Sequence, residues 1–284
     1  MSVLSIVQPR RLAAACLAAV CLLSAAIAAE GPAVPNFVDP GRFVPKPDLD
    51  KVRQIRFLTE LDAPPFSYIG PDGDLTGFNV ELARELCRVL DLPCTIQGLK
   101  WDLLVSAIDD KRGDAIIAPI AVTPASRERY DFTDRYLGRP ARFVAREETD
   151  IADAHPETLA GRVVAVVADT AHEAFLRGLY PGTVARNYPD AGAALEALKK
   201  GEAEFYFGDG ITLSLWLNGE ASEKCCKFVG GPYTESRYFG EGMAIAVARN
   251  NEALEGALNQ ALAKVGGSNA FLEIYLRYFP ISFY

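Results

Sequence analysis

The sequence predicts an α/β protein built from two similar lobes, each a mainly parallel sheet flanked by helices. Short apolar strands alternate with helices whose apolar residues fall at helical spacing, the pattern of strands joined by crossover helices. One unit also occurs twice. "LLVSAIDDKRGDAIIAPI" and "ALEALKKGEAEFYFGDG" each read as an amphipathic helix, a turn at Gly113 or Gly201, and an apolar strand ending near a small residue. The length, 284 residues, suits one large domain or two small lobes.

The elements follow in order. Arg10 and Arg11 precede an apolar stretch from Leu12 to Ile27, and Ala26-Ile27-Ala28 is a small-x-small site. This is the layout of a secretory signal peptide over 1–28, cleaved near Ala28. The stretch is shorter than the about 20 residues that a membrane span needs. Residues 29–52, with Pro32, Pro35, Pro40, Pro45 and Pro47, read as an extended lead-in. Then come a strand at 54–61, a helix at 77–90 with Asn79 as N-cap, a strand at 94–99, a helix at 101–111 and a strand at 113–122. A buried strand at 161–169, helices at 170–179 and 191–201, and a strand at 204–209 follow. A strand at 242–249 and helices at 251–265 and 269–279 close the chain.

The formal net charge is −8, and the leader carries two arginines and no acid, so the mature chain is more acidic still. That balance disfavours nucleic acid and anionic membrane as partners. Four cysteines lie beyond the leader: Cys87, Cys94, Cys225 and Cys226. Export makes disulfides permissible. Cys87 falls late on a helix and Cys94 at the start of the next strand; a bridge there would contribute about 2–3 kcal/mol on the chain-entropy model. The alternative is two buried thiols. Adjacent Cys225 and Cys226 can bridge only through a strained ring, so bridged and free states both stand. Neither pair has the repeated spacing of a metal site, and no cofactor motif is present.

Together "APPFSYIGPDGDLTGFNVELARELC", "WDLLVSAIDDKRGDAIIAPIAVTPASRERYDFTDRY", "LAGRVVAVVADTAHEAF", "ALKKGEAEFYFGD" and "FLEIYLRYFP" resemble the extracellular solute-binding proteins of family 3, polar amino-acid receptors of ABC importers. The resemblance runs from about Val52 to Phe279. It implies the two-lobed periplasmic-binding-protein type II fold, with lobe 1 at 53–138 plus 242–284, lobe 2 at 139–241, and two crossover strands between them. It also implies a periplasmic monomer that closes on a small solute and presents it to an inner-membrane ABC permease. Cys87 and Cys94 match a bridge found in some members that bind basic amino acids.

Carried over residue by residue, the resemblance is uneven. Typical members place an Arg three residues after the Thr of a "TPER" stretch, where it grips the ligand carboxylate; that position here is Ser126. Arg127 comes one residue later, about 100° around a helix. Strand-end hydroxyls typical of the family are replaced by Ala118, Pro119 and Ala121. What remains on this side is the helix N-terminus, with Thr123 as N-cap and Pro124 as its first residue. Arg127 and Arg142 are candidates to supply positive charge. On the other side Asp209 ends its strand where the family has the acid that pairs with the ligand ammonium; the plainer role is a helix cap. Thr170 offers a hydroxyl and backbone N–H, and His172 lies beside it. Trp101 offers a flat apolar face, and Glu60 a second acid at a strand end. Phe66 reads as core, Tyr68 as mouth, and His155 as loop.

The leading expectation is therefore a binding receptor for an amine-containing, amino-acid-like solute. Two alternatives share the scaffold. One is an enzyme resembling a cyclohexadienyl dehydratase, with Glu173 or His172 as its acid. The other is an accessory or sensor-partner protein of a periplasmic dehydrogenase. Against an enzyme, there is no Ser/His/Asp set and no phosphate-cradling loop.

Overall fold

The computed structural model describes residues 49–284; the predicted leader and most of the predicted lead-in lie outside the described residues. The first half contains β1 (Ile55–Glu60), β2 (Asp62–Ala63), β3 (Ser67–Ile69), β4 (Leu75–Thr76), α1 (Phe78–Leu90), β5 (Cys94–Leu99), α2 (Trp101–Leu104), β6 (Ala115–Ile116), α3 (Pro124–Arg127) and β7 (Tyr130–Leu137). The second contains β8 (Ala141–Arg146), β9 (Val163–Val167), α4 (Ala171–Leu179), β10 (Val184–Tyr188), α5 (Ala191–Lys199), β11 (Phe205–Asp209), α6 (Gly210–Asn218), β12 (Cys226–Tyr233) and α7 (Ser236–Phe239). The chain then adds β13 (Met243–Ala248), α8 (Glu252–Gly266) and α9 (Asn269–Tyr278).

Two five-stranded sheets result, in the orders β5-β1-β6-β13-β7 and β10-β9-β11-β8-β12. In each, three parallel strands are followed by two more joined through antiparallel pairings, so that only the fourth strand runs against the rest. Strand β7 runs directly into β8, and β12 returns to β13, so the chain crosses between the sheets twice, at 138–140 and 234–242. The sheets are buried on both faces, which explains the near-continuous apolar strands. One face of the first sheet packs Phe57 and Ile245 against Phe78, Leu258 and Phe279; the other packs Leu58 and Ile116 against Leu104 and Phe132. The second sheet packs Phe143 and Phe207 against Phe175 of α4 on one face, and Val144 and Tyr206 against Leu195 of α5 on the other.

After α9 the chain folds back. Phe283 is fully buried and shares a cluster with Phe279 and with Ile211 of α6. The Ser214 hydroxyl of α6 donates to the Ile281 carbonyl. The last residues thus tie the first sheet's core to a helix of the second sheet.

Three expectations need correction. Asn79 is not a cap. Helix α1 starts after Gly77, and its first N–H groups, from Phe78 and Asn79, donate to the Pro65 and Phe66 carbonyls. Gly77 sits at φ 125, where an added Cβ would lie 2.4 Å from the Phe66 carbonyl oxygen. Asn79 is instead buried, accepting from the Tyr136 hydroxyl at 3.1 Å and donating to the Ile117 carbonyl at 3.3 Å. The helix expected over 101–111 is regular only to Leu104 and ends in turns, with Lys111 left-handed at φ 57. The strand expected over 113–122 pairs only at Ala115–Ile116, because Pro119 cannot donate to a ladder and Ile120 turns back onto the Ala118 carbonyl.

Cys87 and Cys94 are bonded, joining the end of α1 to the start of β5, and Cys225 and Cys226 are bonded to each other. Among the described residues no helix is long and apolar enough to cross a membrane, and no His/Cys/Asp/Glu cluster could hold a metal ion.

Candidate functional site

In both sheets the parallel strands end on one edge, and short loops lead from there into helix N-termini. In open α/β sheets that edge is where ligands lie. In the first sheet it carries Glu60, which pairs in register with Leu99, and just beyond Leu99 stands Trp101, 42% exposed. Burial, and then the neighbouring Asp62 charge, push the Glu60 carboxyl up from its ordinary range. Beyond β6, Thr123 caps α3 through Ser126 N–H at 3.1 Å, and Ser126 Oγ accepts from Thr123 N–H at 2.9 Å. The same hydroxyl lies 2.9 Å from the Ala121 carbonyl, its acceptor. Ser126 is thus bound into a reciprocal cap. Pro124 has no N–H, so Ala125 supplies the remaining first-turn donor of a helix only four residues long.

The second sheet's edge is built on longer helices. Thr170 caps α4 by accepting from Glu173 N–H at 3.3 Å and donates to the Val167 carbonyl at 2.7 Å. Asp209 closes β11 and caps α6: its Oδ1 accepts from Thr212 N–H at 2.8 Å and from Thr212 Oγ1 at 2.9 Å. Its Oδ2 accepts from Arg139 Nη2 at 3.2 Å. His172 packs against Phe239, with ring centroids 5.3 Å apart, and against the edge of Phe207 at 5.8 Å. Burial holds the imidazole below its ordinary value, against the raising effect of the Asp209 charge and with a smaller lowering effect from Arg139. The imidazole is therefore neutral near pH 7, and His172, Asp209 and Arg139 form one electrostatic neighbourhood.

The arginines differ in their surroundings. Arg127 donates to Glu241 at 2.7 Å and lies over the Phe132 ring, 5.7 Å from its centroid. It lines a pocket of about 400 Å³ with Glu241, Arg135 and Ser236, beside the second crossover. Arg142 is buried, with its guanidinium 4.4 Å from the centre of Phe228 and Nη2 donating to the Gly230 carbonyl at 2.8 Å. Burial lowers its pKa. Glu173 accepts from Asn187 Nδ2 at 2.6 Å, Asp169 N–H at 2.7 Å and Arg177 Nε at 2.8 Å. These bonds hold its carboxyl below the ordinary range, so it is ionised and holds no proton to donate at neutral pH. Phe66 is core, 6.1 Å from the Phe279 ring centre, and His155 is an exposed loop residue.

In one half Ser126 bonds the Ala121 carbonyl; in the other the Asp209 charge acts on His172, while Thr170 bonds only within its own strand–helix turn. Sequence reasoning passed over Arg139, Phe239 and Glu241, which lie on the two crossovers. Arg139 had one available signal: "GRP" follows the end of an apolar strand, and a residue before proline is held extended.

A family model described as bacterial extracellular solute-binding proteins, family 3, matches residues 55–281. An ABC transporter arginine-binding protein 1 of Escherichia coli K12 is 29% identical over 80% of this chain and 91% of its own length. Among solved structures, a Salmonella typhimurium periplasmic binding protein described for high arginine specificity is 25% identical, with TM-score 0.50, covering 80% of this chain and all of that one. The unliganded open L-cystine solute receptor of Neisseria gonorrhoeae shares the fold at TM-score 0.72 and 17% identity, covering 82% of this chain and 96% of its own.

Proposed function

Since the chain belongs to the bacterial extracellular solute-binding proteins of family 3, we propose that it is the periplasmic receptor of an ABC importer. It captures a small amine-containing, amino-acid-like solute by closing lobe 1 (53–138 with 242–284) on lobe 2 (139–241), and carries out no chemistry on it. The observation that carries this reading is the pair of strand edges: Glu60, Trp101, Ala121, Ser126 and Arg127 stand at or beyond one, and Thr170, His172 and Asp209 at the other. Asp209 takes the ammonium, Thr170 contributes its hydroxyl and helix N-terminus, Trp101 packs on the apolar part, and Arg127 flanks the site. The arginine-binding names of the relatives support an amine-bearing ligand. Affinity comes from excluding water between lobes that close about the crossovers. The protein works as an exported monomer, its leader removed near Ala28, and its partner is an inner-membrane permease.

A thermal-shift screen with amino acids, polyamines, opines and small organic acids tests this. A ligand at 100 times its Kd stabilises by about 2.7 kcal/mol, a rise of roughly 5–10 °C for a chain of this size. Asp209→Asn, which keeps a capping side chain, removes that rise. A flat screen contradicts the reading.

A further inference from the structure

An amine-bearing ligand that also carries a carboxylate needs a cation as well as an acid, and the first sheet's edge does not hold one ready. Ser126 is neutral and bound into its cap, and Arg127 pairs with Glu241 of the second crossover; Arg142, on β8 of the second sheet, is buried against Phe228. Arg139 differs. Its Nη2 stands 3.2 Å from Asp209 Oδ2, its side chain is 43% exposed, and a small pocket of about 80 Å³ opens beside it, lined also by Arg135, Thr234, Phe239, Glu241 and Tyr284.

The placement is enforced by the backbone. Asp209 pairs in register with Ala141, two residues from Arg139. Gly210 N–H donates to the Pro140 carbonyl at 2.8 Å, and a Cβ at Gly210 would sit 2.8 Å from that oxygen. Pro140 also holds Arg139 extended. The guanidinium can swing, yet its charge stays well within the about 8–10 Å over which salt screens.

Building on the receptor reading above, we propose that Arg139 is a ligand-binding residue that recognises the ligand's carboxylate, so that Asp209 and Arg139 together read an ammonium–carboxylate head group. The two charges of an α-amino acid lie about as far apart as the two charges of this pair. The head group docks against the pair with each of its charges facing the opposite one, and the planar guanidinium has five N–H donors of which Asp209 engages one. Arg139 is thereby a specificity residue that separates amino acids from plain amines.

The test is calorimetric. The full mature chain and its Arg139→Gln and Arg139→Lys variants are titrated with L-arginine, L-lysine and L-leucine. Each is compared with the amine left by removing its carboxylate: agmatine, cadaverine and isopentylamine. Wild type favours the amino acid of at least one pair. In Arg139→Gln that preference falls by about tenfold or more, as expected for a lost charge-assisted contact, and amine binding holds or improves because Asp209 is released. Arg139→Lys, which keeps charge but not the fork, falls between and carries the test if the glutamine variant does not fold. An unchanged preference in both variants, or a wild type that favours the amines, overturns the proposal while leaving the receptor reading intact. Heat from none of the six compounds, in any of the three proteins, overturns this proposal, and a flat result in the wider screen removes the receptor reading as well.

Discussion

The two strand edges use one design and end differently. Each sends a strand into a helix whose first turn is capped by its own side chain: Thr123 in one case, Thr170 and Asp209 in the other. Helix α3 stops after four residues, whereas α4 and α6 run for nine each. A helix dipole builds from aligned peptides, and its N-terminus attracts anions through unsatisfied N–H groups. A four-residue helix with proline first and a reciprocal cap has little of either. The longer helices keep the dipole, rest on an aromatic core and add a carboxylate. Similar local sequence therefore gives a helix start capped by neutral hydroxyls on one side, and on the other a helix start that carries a carboxylate with a guanidinium beside it.

Substitutions can break or sharpen this comparison. Phe207 supports the second edge, 4.4 Å from the Phe143 ring centre and 5.1 Å from that of Phe175. Phe207→Ala is expected to cost about 3–5 kcal/mol in denaturant unfolding, and a cost below 1 kcal/mol removes the claim that an aromatic core supports the second edge. Gly210→Ala should cost about 1–3 kcal/mol by pushing the first crossover away from α6. Thr170→Ala should cost about 1 kcal/mol, and Thr123→Ala less, because it frees a shorter helix; equal costs would blur the distinction. Arg127→Ala, which breaks an exposed pair with Glu241, should cost no more than about 1 kcal/mol.

Acidity gives a separate handle. His172 is held below its ordinary value in the fold, so the unfolded chain takes up the proton first as pH drops. Its contribution is complete above about pH 6.5 and is lost as pH falls toward the lowered folded value. Melting temperatures from pH 7.5 to 5 should fall more for wild type than for His172→Leu. Parallel curves would mean that the imidazole is solvated.

Much of the fold was legible because apolar periodicity and Gly/Pro punctuation act locally. Strands β1, β5, β9, β11 and β13 and helices α1, α4, α8 and α9 fall within a residue or two of expectation. What misled was chemistry supplied from a distance. Asn79 has the right type for a cap, but the Pro65 and Phe66 carbonyls had already taken the first N–H groups, leaving Asn79 to bond Tyr136 and Ile117. At the candidate site, Asp209 was legible as a strand-end acid ahead of a helix. Its partner Arg139 was not, because their meeting depends on the β8–β11 register and lies 70 residues away in sequence. The Arg127–Glu241 pair spans 114 residues and was hidden for the same reason.

The most direct measurement compares the binding heats of Asp209→Asn and Arg127→Ala for the amino acid that wild type binds tightest among the natural L-amino acids. If the second edge holds the ligand head group, Asp209→Asn loses nearly all binding, while Arg127→Ala stays within about threefold of wild type, the size of a weak exposed contact. Full binding by Asp209→Asn, with loss in Arg127→Ala, would contradict the account and place recognition on the first edge.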